Sequence, residues 1–218
     1  MANIEHLTNL RQGAVSWMNW LDDHQQPNID LINADLRGVN LSQAYLVKAS
    51  LVGSDLTAVQ LNQANLTGAN LTDAKLVDAD LQQANLTGVN LQSACLIDAD
   101  FYQANLIGSD LRLVRGRGAN FSQANLIGSS IRQAILPQVN FSQAQLNRAN
   151  LSETNLVKAS FDQADLSVCY RVRGARMGMI FQEPLSSFSP IHTIGAQIAE
   201  VVRIHERVSR QVARARAA

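Results

Sequence analysis

The chain has 218 residues, a formal net charge of zero and only two cysteines, Cys95 and Cys169. Two cysteines are too few for a disulfide framework, and free thiols are typical of a reducing cytosol, so we expect a cytoplasmic protein. The first residues lack the charged and then apolar pattern of a secretory signal, and no apolar run approaches the length that spans a bilayer. We therefore expect no membrane span.

Residues 4–22 predict one amphipathic helix at the start of the chain. Asn3 can serve as its N-cap, and Pro27 follows it. The apolar face of this helix, at helical spacing, consists of Ile4, Leu7, Ala14, Trp17 and Leu21. A repeat array comes next, and the open end of such an array has to be covered to prevent stacking, so we interpret residues 1–27 as a helical cap. A partner-binding helix is the alternative.

Every fifth residue from 31 to 166 is apolar, with one exception. Leu, Ile or Phe occupies 27 of these 28 positions, and Gly116 is the remaining one. A helix repeats every 3.6 residues and a strand every two, so a period of five without insertions predicts a coil that turns a corner every five residues. A small residue, usually Ala, stands two positions before each apolar residue, and Asp or Asn most often stands one position before it. The repeat is therefore A-(D/N)-L-x-x.

This repeat resembles the pentapeptide-repeat family over about residues 29–168. The resemblance implies an all-β solenoid, which is a right-handed, quadrilateral β-helix of about seven coils with twenty residues in each coil. Leu would fill the centre of the coil, Ala would pack beside it, and the other positions would face water. The sequence supports four sides independently, because four phenylalanines are spaced by twenty and would stack on one face: Phe101, Phe121, Phe141 and Phe161.

The repeat pattern stops after Leu166, and a different sequence follows. Two segments, R-V-R-G-A-R-x-G-M-I-F-Q-E-P and T-I-G-x-Q-I-x-E, and then an Arg-rich stretch predicted as a short helix resemble an internal part of the ATPase subunits of dipeptide and oligopeptide ABC transporters. The resemblance implies that Gln182 corresponds to the Q-loop glutamine, which senses the γ-phosphate and metal in those enzymes. We divide the chain into a cap (1–27), a β-helix (28–168) and this tail (169–218).

The tail lacks the phosphate-binding part of such an ATPase. A triphosphate is held by a G-x-x-x-x-G-K-[ST] loop, and this sequence has none. We therefore interpret the tail as a fusion remnant with a vestigial Q-loop and no cofactor. A tail that covers the open end of the last coil, or one that keeps a nucleotide-related role, is the alternative.

An acidic cluster in the repeats is a candidate site. Asp78, Asp80, Asp98 and Asp100 form two D-x-D pairs that lie one coil apart by the twenty-residue rule. Stacked carboxylates about 4.8 Å apart repel each other, so the cluster suggests a cation site or an acidic docking patch. A solvated face that merely tolerates aspartate is the alternative, and we prefer it.

A basic cluster interrupts the repeat. The segment R-L-V-R-G-R-G brings together Arg112, Arg115 and Arg117, and Gly116 stands where an apolar residue is expected. Glycine permits a bulge, so the cluster is interpreted as a basic protrusion that meets a partner. The alternative, which we prefer, is a tolerated imperfection of the packing.

The repeats contain no pattern that indicates catalysis. All four histidines lie outside them, no Cys/His cluster has zinc spacing, and no serine lies in a G-x-S-x-G elbow. We therefore expect a non-enzymatic structural or protein-interaction module without a cofactor, which acts as a monomer or an end-to-end dimer. Its protein partner is unknown.

Two other functions are open. Some pentapeptide-repeat proteins inhibit DNA gyrase by imitating duplex DNA. Residues 28–168 carry 9 basic and 12 acidic side chains, or −3, whereas a duplex of the same length carries roughly 20 negative charges. The charge argues against such a mimic, and we also expect no direct binding to nucleic acid. The second alternative is a relative of ABC transporter ATP-binding subunits without its own ATPase activity.

Overall fold

The computed structural model describes residues 2–24 and 28–167. The tail (169–218) lies outside the described residues, and its predicted roles stay predictions. Between 28 and 167, the chain consists of single-residue β-bridges joined by turns, with one bridge residue in every five.

Parallel backbone bridges join residues that are twenty positions apart. The first pairs Asp30 with Ser50, and the last pairs Gln145 with Asp165. In each step, hydrogen bonds run in both directions, as when the Leu31 N–H donates to the Ser50 carbonyl at 2.8 Å and the Ser50 N–H to the Ile29 carbonyl at 2.9 Å. Residues twenty apart therefore lie above one another, as the repeat predicts, and the chain forms a four-sided parallel β-helix.

Four faces are named here by their first apolar residue in the chain. The first face begins with Leu31, the second with Leu36, the third with Leu41 and the fourth with Leu46; all four side chains are at most 1% exposed. On each face, the apolar residue points inward, and the residues directly before and after it point outward because side chains alternate along extended backbone.

Each corner is a four-residue turn whose third residue has a left-handed conformation. At the first corner, the Ala34 N–H donates to the Leu31 carbonyl at 3.0 Å, and Asn33 has a φ of 57°. This hydrogen bond with a positive φ at the third residue is the pattern of a type II turn, which favours glycine. Most corners nevertheless carry another residue, and Leu113 with a φ of 61° is a large apolar example.

The interior of the β-helix is filled by the apolar positions and the small residues beside them. The four phenylalanines stack on the third face as predicted: ring centroids lie 4.6 Å apart from Phe101 to Phe121, 5.3 Å from Phe121 to Phe141 and 5.2 Å from Phe141 to Phe161. Burial of each large apolar side chain contributes roughly 2 kcal/mol before the entropy of ordering is subtracted.

Two helices precede the repeats: α1 over Ile4–Arg11 and α2 over Ala14–Asp23. The prediction of one continuous helix is wrong, because the chain breaks at Gly13, which has a φ of 99°. The Asn3 side chain accepts from the Glu5 N–H at 2.9 Å, as predicted for the N-cap. Neither described helix is long and apolar enough to cross a membrane.

The break changes which side chains the helices bury. Trp17 and Leu10 are fully buried, whereas Ile4 is 81% exposed, so its place on the predicted apolar face is wrong. The helices contact the first coil through backbone carbonyls on three faces. The Asn3 N–H donates to Asp30, Arg11 to Asp35 at 3.0 Å, and Trp17 Nε1 to Tyr45 at 2.8 Å.

Candidate partner-binding surfaces

The outward residue before each buried apolar residue is usually polar and closes a local hydrogen bond. Every Asp and Asn at this position accepts from the backbone N–H two residues later, as Asp30 does from Ile32 at 3.1 Å and Asn140 does from Ser142 at 3.0 Å. This is an Asx turn, in which a side-chain oxygen supplies the acceptor. The Asp or Asn of the repeat therefore fastens the start of each corner.

The structure separates the three arginines that the sequence grouped together. Arg112 lies on the first face, where its guanidinium donates to both carboxylate oxygens of Asp110 at distances between 2.6 and 2.9 Å. These hydrogen bonds hold the pKa of the Asp110 carboxyl below its ordinary value and raise the pKa of the Arg112 guanidinium. Arg115 and Arg117 lie side by side on the second face, because they flank the inward position of Gly116.

Few carboxylates of the chain lie close to these two neighbouring arginines. Arg117 approaches Asp98 only to 4.0 Å, and the Arg115 guanidinium has no hydrogen bond or ion pair among the described residues. Two other arginines have close carboxylates, at 2.8 Å from Arg37 to Asp35 and at 3.0 Å from Arg132 to Glu153. The pair on the second face is therefore free to meet an external anion.

The predicted bulge at Gly116 does not form, because the backbone keeps its register there. The Gly116 N–H donates to the Ile135 carbonyl at 2.9 Å, and the Leu96 N–H donates to the Arg115 carbonyl at 2.7 Å. The neighbouring coils fill the missing volume: a Cβ atom on Gly116 would lie 2.9 Å from Leu136 Cδ2 and 3.2 Å from Leu96 Cβ. The backbone ladder is therefore unbroken at Gly116, and the interpretation of the segment as a tolerated imperfection of the packing stays a prediction.

The four aspartates of the acidic cluster lie around one corner. Asp78 and Asp98 are the left-handed corner residues that end the second face, and Asp80 and Asp100 are outward bridge residues of the third face. Asp100 accepts hydrogen bonds from the Gln82 amide at 2.8 Å and the Asn120 amide at 2.9 Å. In the part of the chain that the structure describes, no group of three or more His, Cys, Asp or Glu side chains could hold a metal ion. Gln182, the vestigial Q-loop residue, lies outside that part.

Sequence reasoning missed a column of glutamines at the corners that end the third face. Each Nε2 donates to the Oε1 of the next glutamine, at distances between 2.8 and 3.3 Å. The signal was present in the sequence, because identical residues recur every twenty positions. The column consists of Gln43, Gln63, Gln83, Gln103, Gln123, Gln143 and Gln163.

The geometry defines a repeat protein with a parallel β-helix, in which a filled apolar interior supports regular outward columns. The sequence profile described as pentapeptide repeats matches this chain in eight copies, over residues 28–63, 54–92, 64–101, 94–133 and 134–168. The chain belongs to the pentapeptide-repeat family. The predicted resemblance is thereby confirmed, and the family implies the right-handed sense of the β-helix.

Solved structures of other repeat proteins resemble parts of the chain. Rfr23, a pentapeptide repeat protein from the cyanobacterium Cyanothece 51142, is 26% identical over 53% of this chain and 90% of its own, with a TM-score of 0.41. HetL is a pentapeptide repeat protein involved in heterocyst differentiation regulation from the cyanobacterium Nostoc sp. strain PCC 7120. It is 26% identical over 77% of this chain and 97% of its own, with a TM-score of 0.29. QnrB1, a plasmid-mediated fluoroquinolone resistance protein, is 15% identical over 70% and 90%, with a TM-score of 0.38. The family assignment rests on the sequence profile and the bridge geometry.

Curated relatives match only a short stretch of the chain. A probable peptide ABC transporter ATP-binding protein, y4tR of Sinorhizobium fredii (strain NBRC 101917 / NGR234), is 67% identical over 39 residues, which are 18% of this chain and 12% of that protein. The glutathione import ATP-binding protein GsiA of Salmonella choleraesuis (strain SC-B67) is 55% identical over 47 residues, which are 22% of this chain and 8% of that protein. The chain thus spans about a tenth of the length of these relatives. The predicted resemblance to a fragment of such ATPases is confirmed.

Proposed function

We propose that this chain is a non-enzymatic structural and protein-interaction module whose partner binds an outward face of the β-helix. The division of side chains supports this proposal most directly. Inward positions such as Leu81 and Leu126 are fully buried and fill the interior, which leaves no room there for a substrate. The outward positions form regular columns at a spacing of about 4.8 Å, and such columns suit the surface of a protein partner.

The proposal assigns the chain three parts. The helical pair within residues 1–27 caps a β-helix of about seven coils (28–168), and the contacts of Asn3, Arg11 and Trp17 with the first coil support this role. The tail (169–218) is a fusion remnant without nucleotide binding, since the relatives match over so short a stretch. We place the protein in the cytoplasm, as a monomer or an end-to-end dimer.

A weaker alternative is that the β-helix imitates duplex DNA and is bound by gyrase in its place. Such a mimic needs a dense negative surface, but the repeats carry a charge of only −3 and expose the cation of Arg115, which has no ion pair in the described part of the chain. A gyrase supercoiling assay with the full chain is expected to show no inhibition. An ATP-binding measurement is expected to show no binding, which tests the nucleotide-related alternative for the tail.

The interaction function can be tested one face at a time. The full chain and four variants, each with the outward residues of one face replaced by Ser or Thr, are used as bait in a quantitative affinity purification. We expect a stoichiometric protein partner that is lost with one variant and retained with the other three. Partners that ignore all four replacements, or inhibition of gyrase, would contradict the proposal.

A further inference from the structure

One column of the second face breaks the polar rule of the outward positions. Among the described bridge residues, all are Asp, Asn, Ser or Gln apart from five, and four of these five are successive on the second face. Chance would scatter such exceptions over the four faces. The successive exceptions are Lys75, Cys95, Arg115 and Ile135, and the fifth is Tyr45 on the fourth face.

These four exceptions remove a local stabilising contact from four coils in a row. A lysine, cysteine, arginine or isoleucine cannot supply the carboxylate or amide oxygen that accepts the N–H two residues later in an Asx turn. On this column, the N–H groups of Val77, Ile97 and Arg117 lack that acceptor, and Pro137 has no N–H to satisfy. Each such hydrogen bond contributes about 1 kcal/mol or less to stability at a surface. This column lacks that contribution, which suggests that its side chains serve binding rather than stability.

The column forms a surface of cations between apolar side chains. Arg115 and Arg117 form one rung, Cys95 and Ile97 form the rung of the preceding coil, and Ile135 and Pro137 form the rung of the next. We call these six residues the arginine face. Ile135 is 50% exposed, and both arginines are exposed. The next coils on either side add another cation, Lys75, and another apolar side chain, Val157, which is 39% exposed.

Carboxylates hardly reach the arginine face from within the chain. None of its six residues is acidic, and Asp98 at the adjoining corner lies 4.0 Å from Arg117. The Arg115 guanidinium has no hydrogen bond or ion pair among the described residues. An exposed guanidinium without a carboxylate favours an external planar anion, which it can bind through two parallel hydrogen bonds.

We propose that the arginine face binds an extended acidic segment of a partner protein, with one carboxylate on Arg115 and Arg117 and aliphatic side chains on the flanking rungs. Side chains on one side of an extended peptide repeat at about 6.7 Å, which falls between the flanking rungs, about 4.8 Å from the arginines along the rod, and the bordering residues Lys75 and Val157, about 9.6 Å away. The expected sequence in the partner is therefore aliphatic-x-(Asp/Glu)-x-aliphatic. A nucleic acid fits less well, because it would meet apolar rungs on either side of only two cations.

This inference rests on the proposed interaction function and can fail separately from it. A display library of short random peptides is selected on the full-length protein, and the enriched peptide is labelled with fluorescein for polarisation measurements. We expect enrichment of an acidic residue flanked by aliphatic residues two positions away. Replacing that acid by its amide in the probe should weaken binding at least about tenfold, as should the double variant Arg115→Gln/Arg117→Gln.

Arg112→Gln is the matched control, because Arg112 belongs to the same sequence segment but lies on the first face and is paired with Asp110. We expect it to change the dissociation constant less than about twofold. Thermal melting of each variant establishes that it folds. Equal losses in the control and the double variant, or enriched peptides that bind independently of the arginine face, would overturn the inference and leave the proposed function standing. A library that yields no binder at all would count against both.

Two further results would show that the arginine face binds something other than an acidic peptide segment. An unlabelled single-stranded oligonucleotide that displaces the peptide at equal concentration would assign the face to a polyanion. A dimer in sedimentation velocity that dissociates in the double variant would assign it to a second copy of the chain. Either result overturns the acidic segment as the occupant.

Discussion

The side-chain Nε2 of Gln103 donates a hydrogen bond to Oε1 of Gln123 at 2.8 Å, across two neighbouring coils. Gln103 itself accepts from Gln83 at 3.0 Å, so it is both acceptor and donor within the glutamine column. Both side chains extend from residues with a φ of 57°, a conformation that glutamine adopts only where its surroundings support it. The column therefore helps to hold one edge of the rod in the left-handed turn geometry.

A carboxylate in the middle of this column should weaken the rod. Gln103→Glu still accepts from Gln83 but can no longer donate to Gln123, so we expect the free energy of unfolding to fall by about 0.5–1 kcal/mol at neutral pH. The control is Gln163→Glu, because Gln163 accepts from Gln143 and donates to no described residue. Chemical denaturation measures both variants. A loss of equal size in the two would show that the broken donor is not the cause.

Two buried serines should be replaceable by alanine with a gain in stability. Ser109 and Ser129 are at most 2% exposed, and neither hydroxyl has a hydrogen-bond partner within residues 2–24 and 28–167. An unsatisfied buried hydroxyl destabilises the fold by about 1 kcal/mol or more, so each Ser→Ala change should raise the free energy of unfolding by about that amount. Ser54→Ala is the control, since the Ser54 hydroxyl donates to the Leu51 carbonyl at 2.7 Å. Its stability should be unchanged or lower.

Gly116→Leu should stabilise the β-helix by about 1 kcal/mol. The backbone at Gly116 keeps its ladder hydrogen bonds, and burial of a leucine is worth roughly 2 kcal/mol. Part of this gain is offset because Leu136 Cδ2, 2.9 Å from the added Cβ, and Leu96 Cβ, 3.2 Å from it, both have to shift. Thermal melting compares the variant with the unchanged chain. A lower melting temperature would mean that Leu136 and Leu96 cannot shift, and that the packing requires glycine at this position.

Trp17→Phe tests the proposed cap. The fully buried Trp17 ring donates from Nε1 to the Tyr45 carbonyl at 2.8 Å, so the change leaves both a cavity and an unpaired carbonyl, with an expected loss of about 2–4 kcal/mol. In the control, Trp20→Phe, the lost donor bonds to the exposed Glu5 at 2.8 Å, and the loss should be below about 1 kcal/mol. Equal losses in the two variants would argue against a cap that depends on Trp17.

The rod should lose stability in acid through its paired carboxylates. Hydrogen bonds from Arg112 lower the pKa of the folded Asp110 carboxyl. A lowered pKa stabilises the fold above the unfolded value of about 3.9, and this contribution disappears as the pH falls through the folded pKa. Asp110→Asn keeps an acceptor for the Arg112 N–H but removes the titration, so its stability should fall less steeply below about pH 4. Urea denaturation at a series of pH values measures this. If the free energy of unfolding of Asp110→Asn falls as steeply with pH as that of the unchanged chain, the assignment is contradicted.

The sequence by itself determined the repeat and its interior, and the spacing of four phenylalanines by twenty residues supported four sides. Bridges in this rod always join residues twenty apart, so burial, turns and stacked phenylalanines recur at fixed positions that a linear pattern can express. The glutamine column and the shared rung of Arg115 and Arg117 could also have been read from that period and from the alternation about Gly116.

Only the tertiary structure decided how individual side chains and the helical pair are placed. The pairing of Arg112 with Asp110 is local, but only the structure shows that Arg112 lies on a different face from Arg115 and Arg117. The position of Leu136 against Gly116 and the burial of Trp17 rather than Ile4 depend on groups that meet across coils or across the junction of helix and coil. Such contacts follow from the packing of neighbouring volumes in three dimensions. The same residue types in the same linear pattern permit several of these arrangements, and close packing selects one.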